Sequence, residues 1–464
     1  MSGLTRHDAG SFRRLTAGAR RFVEPDLDGE QSERLEALFG RPLGADEAVR
    51  EIVDDVRRRG DAALREWTLR IDGVDVSELH AGAASMAAAW ETTAPELQAA
   101  LTTAAGRIRD FHALQRDTAV RGTADLGLRP VPLRRAGCYV PGGRAAYPST
   151  VLMNVIPAQV AEVDSVVVAT PPGPDGRAHP AVLAAAHLLG VTEVTVMGGA
   201  QAIAALAHGT ESLRPVDTIV GPGNLFVTLA KRAVFGSVGI DGLAGPSEVI
   251  VVATEGADPR LVAADLVSQL EHDPLAWAVC VTDSADLAGR VEEAFVPAAE
   301  SAVRRGIIAA AAGRHGMTVV CDDLEEALAL VDDFAPEHLE LQGAAAEALA
   351  GRVRTAGAIF VGDDTPVAMG DYLAGPNHTL PTGGAARFKG PLSVMDFVRW
   401  SSVTRLSRAD MAGLGPVACT LAEAEGLHGH TESIRLRLQR NGRGVGGVPP
   451  KGGAGGVPPE KDSV

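Results

Sequence analysis

Short apolar runs alternate with helix-spaced apolar residues between positions 165 and 234. Residues 165–170 (SVVVAT) form a β-branched run that is typical of a buried strand, and the breaker Pro171-Pro172-Gly173 follows it. The alternation continues as helix 181–189, strand 191–197, helix 201–208, strand 217–220 and helix 225–234. Because strands separated by single helices usually pair in parallel through right-handed crossovers, this stretch predicts a Rossmann-like unit.

Similar patterns lie on both sides of this stretch. They predict helices at 30–38, 45–58, 61–71, 95–114 and 259–272, and strands at 249–253, 276–282, 318–321 and 358–361. The expected fold class is therefore α/β, with two Rossmann-like doubly wound domains, one inserted in the other. The first would comprise residues 37–138 and 248–391, and the second residues 139–247. Residues 441–464 repeat Gly and Pro with almost nothing to bury, which predicts a disordered tail.

Composition and charge narrow the class of protein. The 464 residues exceed what one core holds, and 46% hydrophobic with 22% charged residues is ordinary for a globular enzyme. The net charge of −16 argues against a nucleic-acid partner. No apolar run approaches the roughly 20 residues of a membrane span, and no secretory signal is recognisable. The four scattered cysteines indicate reduced thiols, so a cytoplasmic protein is predicted.

The segment 369–378 (MGDYLAGPNH) is too polar and too rich in turns for an ordinary core. Loops of this kind tend to carry function, and this one contains an aspartate and a histidine. Three other segments offer groups that would complete a metal site with it. The candidates are Asp371, His378, Gln269, His272, Glu337, His338, and either His428 or His430. Oxygen and imidazole ligands without a thiolate suit zinc or another divalent ion.

Each of these groups also has an ordinary structural interpretation. Gln269 and His272 project from one face of the last turn of a helix, where a histidine cation favours the helix C-terminus. Glu337 would begin a helix or a tight turn, where a carboxylate favours the N-terminus. Side by side, however, Glu337 and His338 are two groups able to move protons near neutral pH. Sequence spacing neither proves that the segments converge nor selects one histidine of the last segment.

Glycine-rich turns lie near predicted strand ends at 137–143, 198–199 and 221–223. Glycines there let the backbone approach a ligand, and a following helix N-terminus favours phosphate. The sequence has neither a GxGxxG nor a Walker A motif. A nucleotide site therefore rests on a weak signal when it is argued from the residues alone.

Six segments, taken together and in order, form a recognisable pattern. They are 137–143 (GCYVPGG), 220–224 (VGPGN), 244–248 (AGPSE), 268–272 (SQLEH), 335–340 (APEHLE) and 369–378 (MGDYLAGPNH). The chain resembles histidinol dehydrogenase in these segments, and the likeness covers roughly residues 30–437. It departs from the family at Lys389-Gly390-Pro391 and Met395, where small polar residues and an aromatic are more usual. None of these positions carries a candidate catalytic group.

The resemblance implies an NAD-linked enzyme with one Zn²⁺ per subunit, which oxidises L-histidinol to L-histidine through L-histidinal. The implied zinc ligands are Gln269, His272, Asp371 and His430, so the family motif favours His430 over His428. The implied substrate contacts are Ser247, Gln269, His272, His338, Asp371, Glu425 and His430. NAD would contact Tyr139, Gln201 and Asn224. In the implied mechanism His338 takes the hydroxyl proton and Glu337 activates water to attack the aldehyde.

The resemblance also implies a homodimer with exchanged segments. The N-terminal segment 1–36 and the C-terminal segment 392–440 would take part in dimerisation. Glu425 and His430 would then serve either their own site or that of the partner. Two other classes compete with this interpretation, a zinc hydrolase in which Glu337 activates water and a binding protein with an inactive site. Release of NADH from an amino alcohol distinguishes the dehydrogenase from both.

Overall fold

The computed structural model describes residues 3–17, 27, 29–121, 127–142 and 146–442. The strands there are β1 (Thr5–Asp8), β2 (His80–Ala81), β3 (Leu128–Pro132), β4 (Arg135–Tyr139), β5 (Ser165–Thr170), β6 (Glu193–Val196), β7 (Thr218–Val220), β8 (Gly239–Ile240), β9 (Glu248–Ala253), β10 (Trp277–Thr282), β11 (Gly316–Val320), β12 (His338–Gln342), β13 (Ala358–Val361) and β14 (Val398–Ser402). The α-helices are α1 (Ala9–Thr16), α2 (Gly29–Phe39), α3 (Ala45–Arg59), α4 (Asp61–Asp72), α5 (Ala83–Thr92), α6 (Pro95–Val120), α7 (Pro148–Val160), α8 (Pro180–Leu188), α9 (Gly199–His208), α10 (Leu225–Val234), α11 (Pro259–Leu270), α12 (Ala285–Ser301), α13 (Arg305–His315), α14 (Leu324–Phe334), α15 (Ala344–Glu347), α16 (Val367–Tyr372), α17 (Arg408–Ala424) and α18 (His428–Gly442). Short 3-10 helices lie at Ala350–Arg352, Ala385–Arg387 and Val394–Phe397.

Two sheets organise most of the chain. Sheet A has the strand order β1-β11-β10-β9-β12-β13, and all of these neighbours pair in parallel. Sheet B has the order β2-β6-β5-β4-β7-β8, in which the edge strand β2 alone is antiparallel to its neighbour. In sheet A the five strands counted along the chain from β9 lie in the order third, second, first, fourth, fifth (β11-β10-β9-β12-β13). The five strands of sheet B counted from β4 lie in the same order (β6-β5-β4-β7-β8). This is the Rossmann order, so the predicted α/β class with parallel sheets is confirmed.

The apolar run of β9 explains why sheet A is covered on both faces. Val249 and Val251 point to the side of α11 and α12, whereas Ile250 and Val252 point to the side of α14. All four side chains are buried. Parallel strands with helices on both faces read as continuous apolar runs, which is what residues 249–253 show.

The helices between residues 45 and 120 pack against the helices of sheet B. α3 contacts α9 and α10, α5 contacts α8, and α6 contacts α7. β1 instead lies at the edge of sheet A, next to β11. The sequence led us to group residues 37–138 with 248–391, the residues of sheet A, whereas the helices between 45 and 120 pack on sheet B. It also led us to treat residues 1–36 as a separate segment, whereas β1 belongs to sheet A. Apolar spacing predicts that a helix face is buried but not which sheet covers it, so the domain boundaries stay a prediction constrained by this packing.

A second compact unit combines residues 124–129 with 401–464, of which 127–129 and 401–442 are described. Its helix α17 begins with a capping box between Ser407 and Asp410. Gly415 lets α17 approach α18 closely, because a Cβ there would lie 2.9 Å from Leu438. The tail predicted to be disordered lies, from residue 443 onward, outside the described residues.

The helices also bear on membrane association. Within the described ranges, no helix combines the length and the apolar content needed to cross a bilayer. Even the 26-residue α6 carries charged residues along its length, including Glu96, Arg107 and Asp110.

Candidate active site

Glu337 and His338 lie at the amino end of sheet A, where two neighbouring strands begin. His338 opens β12 and pairs in register with Val249 of β9. This register brings the Glu337-His338 dipeptide beside Ser247 and Glu248. β9 and β12 are also the two strands between which the strand order reverses, the usual place for a ligand crevice in a doubly wound sheet. The crevice normally forms at the carboxyl ends, however, whereas these groups lie at the amino ends.

The expectation of a helix or a tight turn at Glu337 was wrong. α14 ends at Ala335, whose left-handed backbone (φ 55°) breaks the helix, and the chain then enters β12. The sequence of β12, HLELQ, alternates polar and apolar residues with the period of a strand. Its polar residues are buried along with its leucines, because they face the site and the polar groups around it.

Backbone and side-chain hydrogen bonds fix both members of the dipeptide. The Glu248 N–H donates to Oε2 of Glu337 at 2.9 Å, and the Ser247 hydroxyl also bonds this carboxyl. The Nδ1–H of His338 donates to the carbonyl oxygen of Glu248 at 3.0 Å. The lone pair of the imidazole therefore lies on Nε2, which is the atom available to accept a proton.

Burial sets the protonation states of the dipeptide. Burial lowers the pKa of His338 to about 4, so its imidazole is neutral at physiological pH. Burial, with the negative charges of Glu248 and Asp371, holds the pKa of Glu337 well above its usual range. His338 Nδ1 lies 3.4 Å from Glu337 Oε2, but the neutral imidazole makes this a polar contact and not an ion pair.

Three charged or polar groups surround the His338 imidazole. Asp371, His272 and His378 all influence its pKa electrostatically, so they lie in the same environment. His378 donates from Nδ1 to the carbonyl oxygen of Asp371 at 3.0 Å. Its Nε2 lies 3.4 Å from the hydroxyl of Thr150. The structure thus gathers residues that are spread from position 150 to position 378 in the sequence.

Gln269 lies on α11, one turn before His272. Its side chain is almost fully buried, and its Nε2 has no hydrogen-bond partner among the described residues. Leaving a buried amide unsatisfied costs free energy, so such an atom calls for an explanation. A ligand that reorients the amide and uses its oxygen would supply one.

Gln269, His272 and Asp371 fit the zinc that the sequence predicts, because zinc takes oxygen and imidazole donors. Among the described residues, no three or more His, Cys, Asp or Glu side chains are grouped closely enough to hold a metal ion. The ligand set Gln269, His272, Asp371 and His430 therefore stays a prediction, in which one donor is an amide and another, His430, belongs to the second unit.

Glu425 and His430 lie where α17 ends and α18 begins. Glu425 is the C-terminal cap of α17 and donates its N–H to the carbonyl oxygen of Leu421 at 3.1 Å. His430 lies in the first turn of α18, and both side chains are exposed to solvent. Their roles in binding substrate and zinc stay predictions.

The predicted NAD residues lie around the carboxyl ends of β4, β6 and β7. Tyr139 ends β4, and its hydroxyl accepts the N–H of Gly199, the first residue of α9, at 3.1 Å. Gln201 is fully buried in the same helical turn, and neither polar atom of its amide has a partner among the described residues. Asn224 caps α10 by accepting the N–H of Val227 at 3.1 Å. β4 and β7 flank the reversal of strand order in sheet B, where doubly wound sheets bind nucleotides.

A buried ion pair supports the turn that follows β7. Gly221 has φ 115°, and a Cβ there would lie 2.1 Å from the carbonyl oxygen of Tyr139, so this position needs glycine. Lys231 donates to Asp241 at 2.6 Å, and Asp241 accepts the Gly221 N–H at 2.7 Å. Both charged side chains are buried, so the turn is held from within the protein.

Similarity to known proteins agrees with the six segments. A family model described as histidinol dehydrogenase matches residues 43–438. The chain is 53% identical over 391 residues to a histidinol dehydrogenase of Parasynechococcus marenigrum, which covers 83% of this chain and 90% of the relative. It is 50% identical over 405 residues to that of Cereibacter sphaeroides, covering 86% and 93%. The chain belongs to the histidinol dehydrogenase family. A crystal structure of histidinol dehydrogenase from Elizabethkingia anophelis has the same fold, with a TM-score of 0.83, 30% identity, and coverage of 95% of this chain and 99% of that one.

The resemblance to histidinol dehydrogenase is therefore confirmed. The matched range includes all six segments and extends through Glu425 and His430. It also includes the positions at Lys389-Gly390-Pro391 and Met395 where the sequence departs from the usual family residues.

Beside the site of this histidinol dehydrogenase family member lies a group of polar residues that the sequence did not predict to be functional. Gln342 donates from Nε2 to Asp265 at 2.8 Å and to Glu340 at 2.9 Å. Glu340 accepts the N–H of Val367, the first residue of α16, at 2.9 Å. Burial holds the pKa of Glu340 well above its usual range and raises that of Asp265. The alternation in HLELQ was the available signal, together with Asp265 one turn before Gln269.

Proposed function

We propose that this chain oxidises L-histidinol to L-histidine through L-histidinal with two NAD, the last step of histidine biosynthesis. The observation that carries the proposal is the buried Glu337-His338 dipeptide with its neutral imidazole. The first oxidation removes a hydroxyl proton, and the second requires water to attack an aldehyde. Two adjacent proton-transfer groups suit this pair of steps.

The proposed cofactor contacts come from both sheets and from the second unit. Zinc would be held by Gln269, His272, Asp371 and His430, and NAD would contact Tyr139, Gln201 and Asn224. When bound at these residues, zinc would supply Lewis-acid catalysis and NAD would supply the hydride acceptor. The buried amides of Gln269 and Gln201 support this assignment, because Nε2 of Gln269 and both polar atoms of Gln201 have no hydrogen-bond partner among the described residues.

The two catalytic residues have distinct roles in this proposal. His338 accepts the substrate hydroxyl proton at Nε2, and its hydrogen bond to the Glu248 carbonyl keeps that atom directed at the substrate. Glu337 then takes a proton from the water that attacks the aldehyde carbon, while the protonated His338 gives its proton to the aldehyde oxygen, so the hydrate forms and the imidazole is neutral again. His338 removes the proton of the resulting hydrate as the second hydride leaves. Ser247 and Glu425 would bind the substrate.

The proposed assembly is a homodimer. In the second unit Leu414, Val417 and Leu421 follow one face of α17 and are 57%, 60% and 62% exposed. An exposed apolar stripe on a helix is typical of an interface. Glu425 and His430 lie just beyond this helix, so a dimer would bring them to one site or the other. The cytoplasmic location expected from the sequence stays a prediction.

The test is the amount of NADH formed per L-histidinol consumed. The zinc-loaded protein should release two NADH per substrate, lose this activity on chelation and regain it when zinc is added. The same assay with Glu337→Gln should release one NADH and accumulate the aldehyde, whereas His338→Ala should release almost none.

Other outcomes would count against parts of the proposal. One NADH from the wild-type protein would mean that oxidation ends at the aldehyde and that Glu337 has another role. No NADH from folded, zinc-loaded protein would contradict the dehydrogenase and favour the zinc hydrolase, which an assay with amide and ester substrates would then examine.

A further inference from the structure

Glu248 contacts both members of the Glu337-His338 dipeptide through three different groups. Its N–H donates to the Glu337 carboxyl at 2.9 Å, and its carbonyl oxygen accepts from His338 Nδ1 at 3.0 Å. Its own carboxyl accepts the backbone N–H of Glu337 at 3.3 Å. One residue of β9 therefore determines the orientation of both proton-transfer side chains.

We propose that Glu248 is a positioning residue, whose side chain holds Glu337 in the arrangement that the attack of water requires. The inference rests on the proposed function, because it takes the roles of Glu337 and His338 from there. In this proposal Glu248 does not contact the substrate and acts only through Glu337 and His338.

The reciprocal hydrogen bonds make this arrangement specific to a carboxylate. Glu248 and Glu337 each accept the backbone N–H of the other, which closes a ring across the starts of β9 and β12. The second oxygen of Glu248 accepts the N–H of Gly383 at 3.0 Å. The side chain thus needs an acceptor on both oxygens. Glutamine would present an NH₂ group to one of these donors, and aspartate is one methylene too short.

The charge of Glu248 also acts on Glu337. Both carboxyls are buried, and the negative charge of Glu248 adds to burial in raising the pKa of Glu337. The other groups that act on Glu337 are Asp371 from α16, which raises its pKa, and the Ser247 hydroxyl, which lowers it. Arg387 lowers the pKa of Glu248 from the 3-10 turn at Ala385–Arg387. Removal of the Glu248 charge should therefore lower the pKa of Glu337.

The experiment follows the second oxidation alone. Zinc-loaded wild type and Glu248→Gln are given L-histidinal and NAD, and NADH formation in a single turnover is measured from pH 5 to 10. We expect the variant to be about tenfold slower at its optimum, as general-base catalysis demands precise placement. The acidic limb of its pH–rate profile, where the rate falls toward low pH, should move to lower pH by roughly half a unit or more. The KM for NAD and the zinc content should match the wild type.

Two further variants serve as controls. Glu193→Gln breaks the partly buried ion pair with Arg135 at the start of β6 in sheet B, so it tests for a general loss of stability. Glu193→Gln should leave both the single-turnover rate and the acidic limb of the pH–rate profile unchanged. Glu248→Asp keeps the negative charge, but its shorter side chain moves the carboxylate away from the N–H groups of Glu337 and Gly383. This variant should therefore be slow, while the acidic limb of its pH–rate profile stays near that of the wild type. It also replaces Glu248→Gln if that variant does not fold.

The outcomes separate this inference from the proposed function. If wild type forms two NADH per L-histidinol and Glu337→Gln forms one, the roles of the dipeptide stand. With that established, an unchanged rate and limb in Glu248→Gln would overturn the inference. Glu248→Gln could instead be slower at every pH without a shift of the acidic limb, and could lose zinc or melt at a lower temperature. That result would mean a merely structural role for Glu248 and would also overturn the inference.

Discussion

Among the described residues, Gln201 is the clearest case of a buried side chain without a hydrogen-bond partner. Its amide is fully buried in the first turn of α9, and both polar atoms are unsatisfied among the described residues. A buried polar group without a partner typically costs about 1–3 kcal/mol. A ligand that binds these atoms would recover this cost, which links the stability of the free protein to its affinity for NAD.

Replacing Gln201 should therefore have opposite effects on the two properties. We expect Gln201→Leu to leave the free protein as stable as the wild type or up to about 2 kcal/mol more stable, while its Kd for NAD rises about tenfold. Urea unfolding and NAD titration measure both.

Gln159→Leu is the matched control, because Gln159 is satisfied by Leu189 and Arg109. It should lose stability and keep its NAD affinity. A destabilised Gln201→Leu with normal NAD affinity would show that Gln201 only supports the fold.

A second prediction at this scale concerns pH. Burial raises the pKa of Glu248 from its ordinary 4.5 to about 7. The folded protein therefore binds this proton more tightly than the unfolded chain, and stability falls as pH rises through the window from about 4.5 to 7. Glu248→Gln has no such proton. In zinc-free protein its stability relative to wild type should rise between pH 5 and 8, by at most about 3 kcal/mol.

Denaturant unfolding at several pH values measures this difference. The sign of the change with pH is the test, since replacing a carboxyl by an amide also changes stability by an amount that does not depend on pH. A difference that stays constant, or that falls as pH rises, would contradict a raised pKa for Glu248.

At the scale of elements, α11 and α16 are tied together by the acid pair Asp265 and Glu340 with Gln342. α11 carries Gln269, and the first N–H of α16 donates to Glu340. Supporting hydrogen bonds around a metal site typically change metal affinity 10- to 100-fold. The acid pair thus links α11, which carries Gln269 and ends two residues before His272, to the helix that carries Asp371.

Asp265→Asn and Glu340→Gln should each weaken zinc binding about tenfold, because they loosen the spacing of these helices. Competition with a chelator measures the zinc Kd, and NAD affinity should stay unchanged. Glu347→Gln, an exposed residue beyond β12, serves as control and should bind zinc normally. Unchanged zinc affinity in both acid-pair variants would show that these residues only fill the space between the helices.

The elements also show how far the sequence could be interpreted. Runs such as 165–170 and 249–253 predicted strands that the structure contains, because β-branched residues buried on both faces leave an unmistakable pattern. β1 (TRHD) left no such pattern, since it is a polar edge strand that pairs with residues some 300 positions later. β12 was missed for a different reason. The adjacent Pro336 and Glu337 suggested the start of a helix or a tight turn, whereas the polar residues of β12 are buried in a strand against other polar groups of the site.

The site residues, like the strands, divide into those that the sequence predicted and those that it did not. The family motifs supplied Glu337, His338 and the predicted ligands, but no distances or hydrogen bonds between them. Glu248 and Glu340 lie in two of these motifs, but their contacts, like those of Asp265, came only from the structure, because they are hydrogen bonds between strands and helices distant in sequence. Local spacing carries no information about such contacts.

At the scale of the whole molecule, the question is which subunit's Glu425 and His430 complete a site. Two inactive variants can answer it, His338→Ala and His430→Ala. If a site combines His338 of one subunit with His430 of the other, a mixed dimer contains one intact site. Unfolding and refolding an equal mixture should then restore about a quarter of the wild-type activity, since half of the dimers are mixed.

Sites built within one subunit give the opposite result, with no activity restored by mixing. Each variant refolded alone is the control for the yield of refolding. Leu421→Asp, on the exposed apolar face of α17, should shift the protein toward a monomer in light scattering. A monomer with full activity would contradict both the shared site and the need for a dimer.

The register between β9 and β12 has a consequence for how preparations of this protein should be judged. His338 pairs with Val249, and Glu248 bonds Glu337 across the same two strands. A slip by one residue would turn every side chain of β12 to the opposite face and break these bonds together. Mispaired molecules would then have no turnover at all rather than a reduced one. Specific activity would therefore count the fraction of correctly folded chains, and its variation between batches would report folding quality.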